Sequence, residues 1–284
     1  MNPPANIDLL MRLWFASNCG RLTMTCGRYG MISLRRIGIF ALLALAPPLA
    51  AFAAAEDDFL AGRSNACVHC SLPGVPLKRR DLTAADLTGA NLKGAVFHRA
   101  KLNRAKFDDA DLTEANLNKA ELTNASLVRA KLKGALFYEA DLTGADLTGA
   151  DLSGAKMGKA RLVRAKLDGV AMAESVLTGA RLDDASLTGV DLSGSNLVDA
   201  SLRRADLEGV NLDGAGLVNA ALRQARLKGA KLTEADLYGA DLSGADLSGA
   251  DLSGARLTSA DLTDAKLDGA KLSGTLMPDG TVHE

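Results

Sequence analysis

The stretch ADLSGADLSGADLSG, from Ala240 to Gly254, writes the same five residues three times. A period of five suits neither regular element, because a helix wants apolar residues three and four apart and a strand wants them two apart. Followed in both directions from its central Leu, the period holds without a slip from Leu77 to Leu272, forty units in all. Phe97, Phe107, Phe137, Met157 and Met172 take the central place in five of them. From Ala85 to Ala270 the residue two before each centre is small, Ala in all but Val170, Ser175, Val190, Ser195 and Val210. Self-similarity at a short fixed period, with no insertions, indicates a solenoid. The centre and the small residue then point inward, three residues point outward, and a corner needs the Gly so often found two places after the centre.

Composition agrees with a core of small and medium aliphatic side chains in close packing, since aromatics make up only 4% of the 284 residues. The formal charge is −1 with both signs interspersed, which argues against nucleic-acid or anionic-membrane binding through a basic field.

The unit A-(D/N)-L-(S/T)-G, as in Ala240-Asp241-Leu242-Ser243-Gly244, resembles the pentapeptide-repeat family, and the resemblance runs from about Cys70 to Leu276. It implies an all-β fold, a right-handed quadrilateral parallel β-helix in which each unit forms one side and four units one coil. At strand-like spacing, about ten coils give a rod of about 48 Å. Stability in such an array is nearly a sum of neighbour contacts, so the ends need caps.

Five segments are expected. Residues 1–30 form a leader without periodicity, consistent with a start site placed too far upstream. Residues 31–55 look like a secretory signal peptide: Arg35 and Arg36, an apolar run from Ile37 to Leu49 broken by Pro47-Pro48, then small residues around Ala53. A membrane anchor is the competing reading, although the run is short for a bilayer span. Residues 56–74 form an N-terminal cap carrying CVHC, 75–276 the solenoid, and 277–284 a C-terminal tail that turns at Pro278-Asp279-Gly280. Export to the periplasm or the medium follows, with no membrane insertion of the mature domain.

Extending the frame backwards puts Cys67 at a centre and Cys70 at a small position, both facing inward at the mouth of the solenoid. A disulfide or buried thiol pair, a redox pair, and a haem or metal site are the readings open to them; haem attachment wants His directly after the second Cys, where Ser71 stands. Elsewhere the three His, at 69, 98 and 283, are far apart in the frame, and a straight rod without insertions offers no cleft. No catalytic, cofactor or metal residues are expected, and no small-molecule substrate. Asp236, Asp241, Asp246 and Asp251 sit on four successive sides and read as a solvated face, not a calcium site.

Folding the sequence at twenty residues per coil sorts the outward residues flanking each centre onto four sides. Three sides carry 11, 13 and 10 charges; the fourth, over its centres from Phe97 to Leu257, carries only Lys156, Asp236 and Arg256. That side presents Val96, His98, Leu136, Tyr138, Val176, Val198, Val218 and Tyr238, an apolar and aromatic strip of the kind that marks a contact surface. The expected function is a non-catalytic, exported, structural or protein-binding solenoid that docks a protein partner or a second copy through this side. The alternative comes from the family resemblance, whose best-understood members are cytoplasmic DNA mimics acting on a type II topoisomerase. Against it, Arg99, Arg104, Lys119, Arg129, Arg164, Arg203 and Arg204 interrupt the acidity, and only the stretch from Glu234 onward is strongly acidic.

Overall fold

A computed structural model describes residues 49–284 of the chain, with side chains from residue 54 onward. The leader 1–30 and the signal segment as far as residue 48 lie outside the described residues. Parallel bridges join residue i to residue i+20, beginning with Ala66↔Asp86 and continuing in every unit to Arg256↔Leu276. One circuit is therefore twenty residues, or four units, and each unit stacks on the unit one circuit away.

Four backbone bonds recur per unit, the first from the amide before the centre back to the preceding coil (Lys106 N to Ala85 O, 2.8 Å). The amide of the centre donates to the next coil (Leu87 N to Lys106 O, 2.8 Å), as does the amide two places on (Gly89 N to Asp108 O, 2.8 Å). The amide of the following small residue closes the corner onto the centre (Ala90 N to Leu87 O, 3.1 Å). Inside the tube every Leu centre from Leu77 to Leu257 is buried, together with the small residues from Ala85 to Ala260. Ser175 and Ser195 replace Ala within this column and satisfy each other, hydroxyl to hydroxyl at 3.2 Å, with Ser195 Oγ also donating to Met172 O at 2.9 Å. Phe97 and Phe107 meet edge to face, ring centroids 5.8 Å apart.

The corners correct one expectation. The residue two after each centre is left-handed whether or not it is Gly: φ is +64° at Gly89, but also +57° at Arg99, +58° at Asp109 and +58° at Glu114. A side chain there costs roughly 1 kcal/mol or a little more. The corner bonds and the ladder tolerate that cost, so Gly is frequent here but not required.

The Asp of the repeat has a structural task. Standing just before the centre, its carboxylate reaches over the corner and accepts from the residue just after the centre. Asp146 Oδ1 takes Thr148 N at 3.1 Å and Thr148 Oγ1 at 2.6 Å, and Asp251 Oδ1 takes Ser253 N at 3.1 Å and Ser253 Oγ at 2.6 Å. The run Asp236, Asp241, Asp246 and Asp251, expected to be merely solvated, brackets Tyr238, Ser243, Ser248 and Ser253 in this way. Hydroxyl bonds from Ser253, then Lys271 Nζ and the Ser253 amide, hold the Asp251 carboxyl down to about 2. Asp81, Asp86 and Asp261 are lowered chiefly by the hydroxyls of Thr83, Thr88 and Thr263.

A carboxyl whose folded pKa lies below its unfolded value stabilises the fold above about pH 4 and loses that contribution as pH falls toward about 2. The urea midpoint is therefore expected to be flat from neutral pH to about 5 and to fall steeply below about 4. Asp251→Asn keeps the acceptor, as Asn116 does for Asn118 N at 3.1 Å, and is expected to flatten part of the acid limb. A midpoint that rises on acidification contradicts the bracket's role.

At the N-terminal end, helix α1, Leu49–Leu60, forms from an alanine-rich segment of high helix propensity. It ends where Gly62 adopts φ +74° and its amide returns to Phe59 O at 3.0 Å. The helix straddles residue 55, the expected end of the signal segment. Phe59 is fully buried, Ala55 packs against the core, and Glu56 Oε1 accepts from Ser71 N at 2.7 Å. Arg80 clamps the helix end, donating to Phe59 O at 2.9 Å and Leu60 O at 3.2 Å, with its guanidinium 5.2 Å from the Phe59 ring centroid. The repeating geometry starts with the unit of Cys67, within the cap segment 56–74 and where the frame extended backwards puts a centre. At the other end the tail folds back, pairing Leu276 with Val282 in antiparallel sense, while Leu262, Leu267 and Leu272 are only partly buried.

Candidate docking surface

On the low-charge side, two columns of outward side chains run along the rod. The first is the bridge column, in which Val96, Asn116, Leu136, Lys156, Val176, Asn196, Gly216, Asp236 and Arg256 stack in order. The second lies just past the centres and contains His98, Asn118, Tyr138, Gly158, Thr178, Val198, Val218 and Tyr238. All eight residues expected to form a contact strip thus fall on one side. Tyr138 and Tyr238 are each 41% exposed and Val176 is 38% exposed; Val96, His98, Leu136, Val198 and Val218 are half-buried.

Charge on this side is lower in effect than the count of three suggests. Arg256 Nε donates to Asp236 Oδ1 at 2.7 Å, and the Arg256 guanidinium lies 5.1 Å from the Tyr238 ring centroid. Asp236 is partly desolvated, which opposes ionisation, but the bond from Arg256 and the Tyr238 amide outweigh this and lower its pKa. Lys156 makes no ion pair with a described residue. Lys159, from the neighbouring corner, places Nζ 6.0 Å from the Tyr138 ring centroid.

Two features of this side escape a reading by residue type. Gly158 leaves a gap between Tyr138 and Thr178, and around it lies a shallow depression of about 520 Å3 that also touches Leu136, Lys156 and Val176. Gly216 leaves a second gap in the bridge column, with nothing within 4 Å of a Cβ placed there. Neither glycine has the positive φ of the corners. The available signal was their phase: Gly158 stands one place after its centre and Gly216 one place before its centre, neither at the usual Gly position two places after.

At the mouth of the tube, Cys67 and Cys70 are joined, with S–S 2.03 Å and Cα–Cα 5.3 Å, both buried beneath α1. His69 points away from them along the outside, its ring so near Gly89 that a Cβ there would fall 2.1 Å from Nδ1. Among the described residues no three His, Cys, Asp or Glu side chains gather at one point. No described helix is long and apolar enough to cross a membrane.

A stack of four-sided coils with an inward Leu and Ala in each unit is a repeat solenoid whose outer surface is the part available for recognition. The chain belongs to the pentapeptide repeat family: the family model "Pentapeptide repeats" matches residues 81–118, 120–158, 160–197, 200–239 and 235–274, in 8 copies. Members form right-handed quadrilateral β-helices and are generally non-catalytic structural or binding proteins. Among solved structures, the chain is similar to HetL of the cyanobacterium Nostoc sp. strain PCC 7120, a pentapeptide repeat protein involved in heterocyst differentiation regulation. Identity is 36%, over 80% of this chain and 97% of that one, with a TM-score of 0.36. Rfr23 of the cyanobacterium Cyanothece 51142 is 30% identical over 40% of this chain and 92% of its own, TM-score 0.39. A pentapeptide repeat protein of the Arabidopsis thaliana thylakoid lumen is 30% identical over 36% and 68%, TM-score 0.22. No curated protein matches the chain.

Proposed function

We propose that this protein is an exported, non-catalytic scaffold that binds a protein partner through its low-charge side. The observation that carries the proposal is the segregation of charge: from Val96 to Arg256 one side of the rod carries apolar and aromatic side chains interspersed with Asn, Gly and three charges, two of which neutralise each other, and the other sides are densely charged. An apolar strip rimmed by charge is suited to recognition by area and shape. Export is supported by the basic, apolar and small-residue order of residues 31–55. The closed Cys67–Cys70 bond suits an oxidising compartment.

Replacing Leu136, Tyr138 and Tyr238 together with Ser tests the docking surface. These side chains point outward, so unfolding free energy is expected to change by less than about 1 kcal/mol. Binding to proteins that co-purify with the wild-type chain from its own cells is expected to be lost. Capture unchanged by the triple substitution rules out this side, and recovery of the protein in the cytoplasmic fraction with residues 31–55 retained rules out export.

A further inference from the structure

The two gaps and two of the three exposed apolar side chains of the low-charge side, Val176 and Tyr238, are related by a single point. Gly158 and Tyr238 lie in the same column, and the coil midway between them is that of Val198. In the bridge column, Gly216 and the exposed Val176 have Asn196 midway, in that same coil. Lys156 and Asp236, of opposite charge, also have Asn196 midway. Gly158 and Gly216 are the described glycines that lack a corner's positive φ, so a turn does not explain either.

A two-fold axis lying in a contact plane and crossing the rod at this coil reverses the order of coils but keeps each column facing its own copy. Tyr238 then faces the Gly158 gap of a second copy, and Val176 faces the Gly216 gap. Lys156 faces Asp236 of the second copy, which retains lone pairs beyond those used by Arg256. Val198 meets Val198 on the axis. A Cβ built at Gly158 stands in ordinary contact, 3.5 Å from Tyr138 Cδ2 and 3.8 Å from Thr178 O, and the shallow depression around it opens to the outside. A parallel pairing instead keeps coils level, setting Tyr238 against Asp236 and Lys156 over the Gly158 gap.

We propose that the low-charge side is the interface of an antiparallel homodimer with its two-fold axis over Val198. This rests on the docking role assigned above and adds the occupant and the register. Burial of two exposed side chains in two gaps, an apolar centre and two symmetry-related ion pairs supply complementarity of the kind that holds standard interfaces together.

The test uses the full chain with Cys19→Ser and Cys26→Ser, since Cys67 and Cys70 are already bonded to each other. Sedimentation equilibrium is expected to show a dimer. Val198→Cys is expected to cross-link two chains on mild oxidation, while Val96→Cys, which has no counterpart across the axis, is not. Gly158→Trp fills the gap from its own side and is expected to weaken dimerisation about tenfold or more, with an unchanged melting temperature at dilutions where both proteins are monomeric. A monomer at the highest soluble concentration overturns the dimer but leaves the docking surface to be judged by the triple-serine capture. A dimer that cross-links through Val96→Cys, or that Gly158→Trp does not weaken, overturns the antiparallel register.

Discussion

Leu147→Asp is expected to destabilise the protein by on the order of 5 kcal/mol, the largest effect among single substitutions considered, because it places a carboxylate where no water and no partner can reach it. Leu147 is fully buried, and the residues stacked one coil away on either side, Leu127 and Leu167, are buried as completely. Neighbour coils carry the stability of a solenoid, so the damage should open the coils around residue 147 before the ends. Limited proteolysis is expected to cut first near that coil, and Leu147→Met, which nearly conserves volume, should remain close to wild type. Wild-type resistance to protease in the Asp variant contradicts a closed aliphatic interior.

Phe59→Ala is expected to cost about 3 kcal/mol at the opposite extreme of the structure, where no further coil covers the core. Its ring fills the mouth above the Cys67–Cys70 pair and supports the Arg80 guanidinium, which in turn holds the carbonyls of Phe59 and Leu60. Hydrogen exchange provides the check. Amides of the first coil, such as Cys67, His69 and Leu72, should lose protection, while those of Leu222 and Leu247 keep theirs. Equal loss along the whole rod, or none at the mouth, is incompatible with α1 acting as a local plug.

The tube itself is legible because its signal is local and repeated: a Leu every five residues and an Ala two before it can be satisfied only by units that face inward together. The sorting of sides follows from the same arithmetic, so Tyr138 and Tyr238, one hundred positions apart, could be placed on one strip before any coordinates. The docking of α1 was not legible. Phe59 lies outside the repeat, and the one trace of its partner is that Arg80 stands two before Leu82, at the inward position where every later unit has Ala, Val, Ser or Thr. Corner chemistry was misjudged for a different reason, since frequent Gly suggested necessity, whereas the ladder on both sides of each corner holds Arg99 or Glu114 in the same conformation. The Asp brackets left a visible trace, Asp followed two places later by Ser or Thr. In the run from Asp236 to Asp251 the carboxylates read as a solvated face, although a carboxylate accepting from the amide two places on is a common turn geometry.

The twenty-residue circuit also governs how such a chain can change length over evolutionary time. Loss or duplication of a single five-residue unit rotates everything downstream by a quarter turn, sending Val198, Val218 and Tyr238 onto a different wall from Leu136 and Tyr138. Gain or loss of four units together shortens or lengthens the rod while leaving every wall aligned. Any pressure to preserve one wall therefore counts genetic insertions in multiples of sixty nucleotides, a reading frame far coarser than the codon.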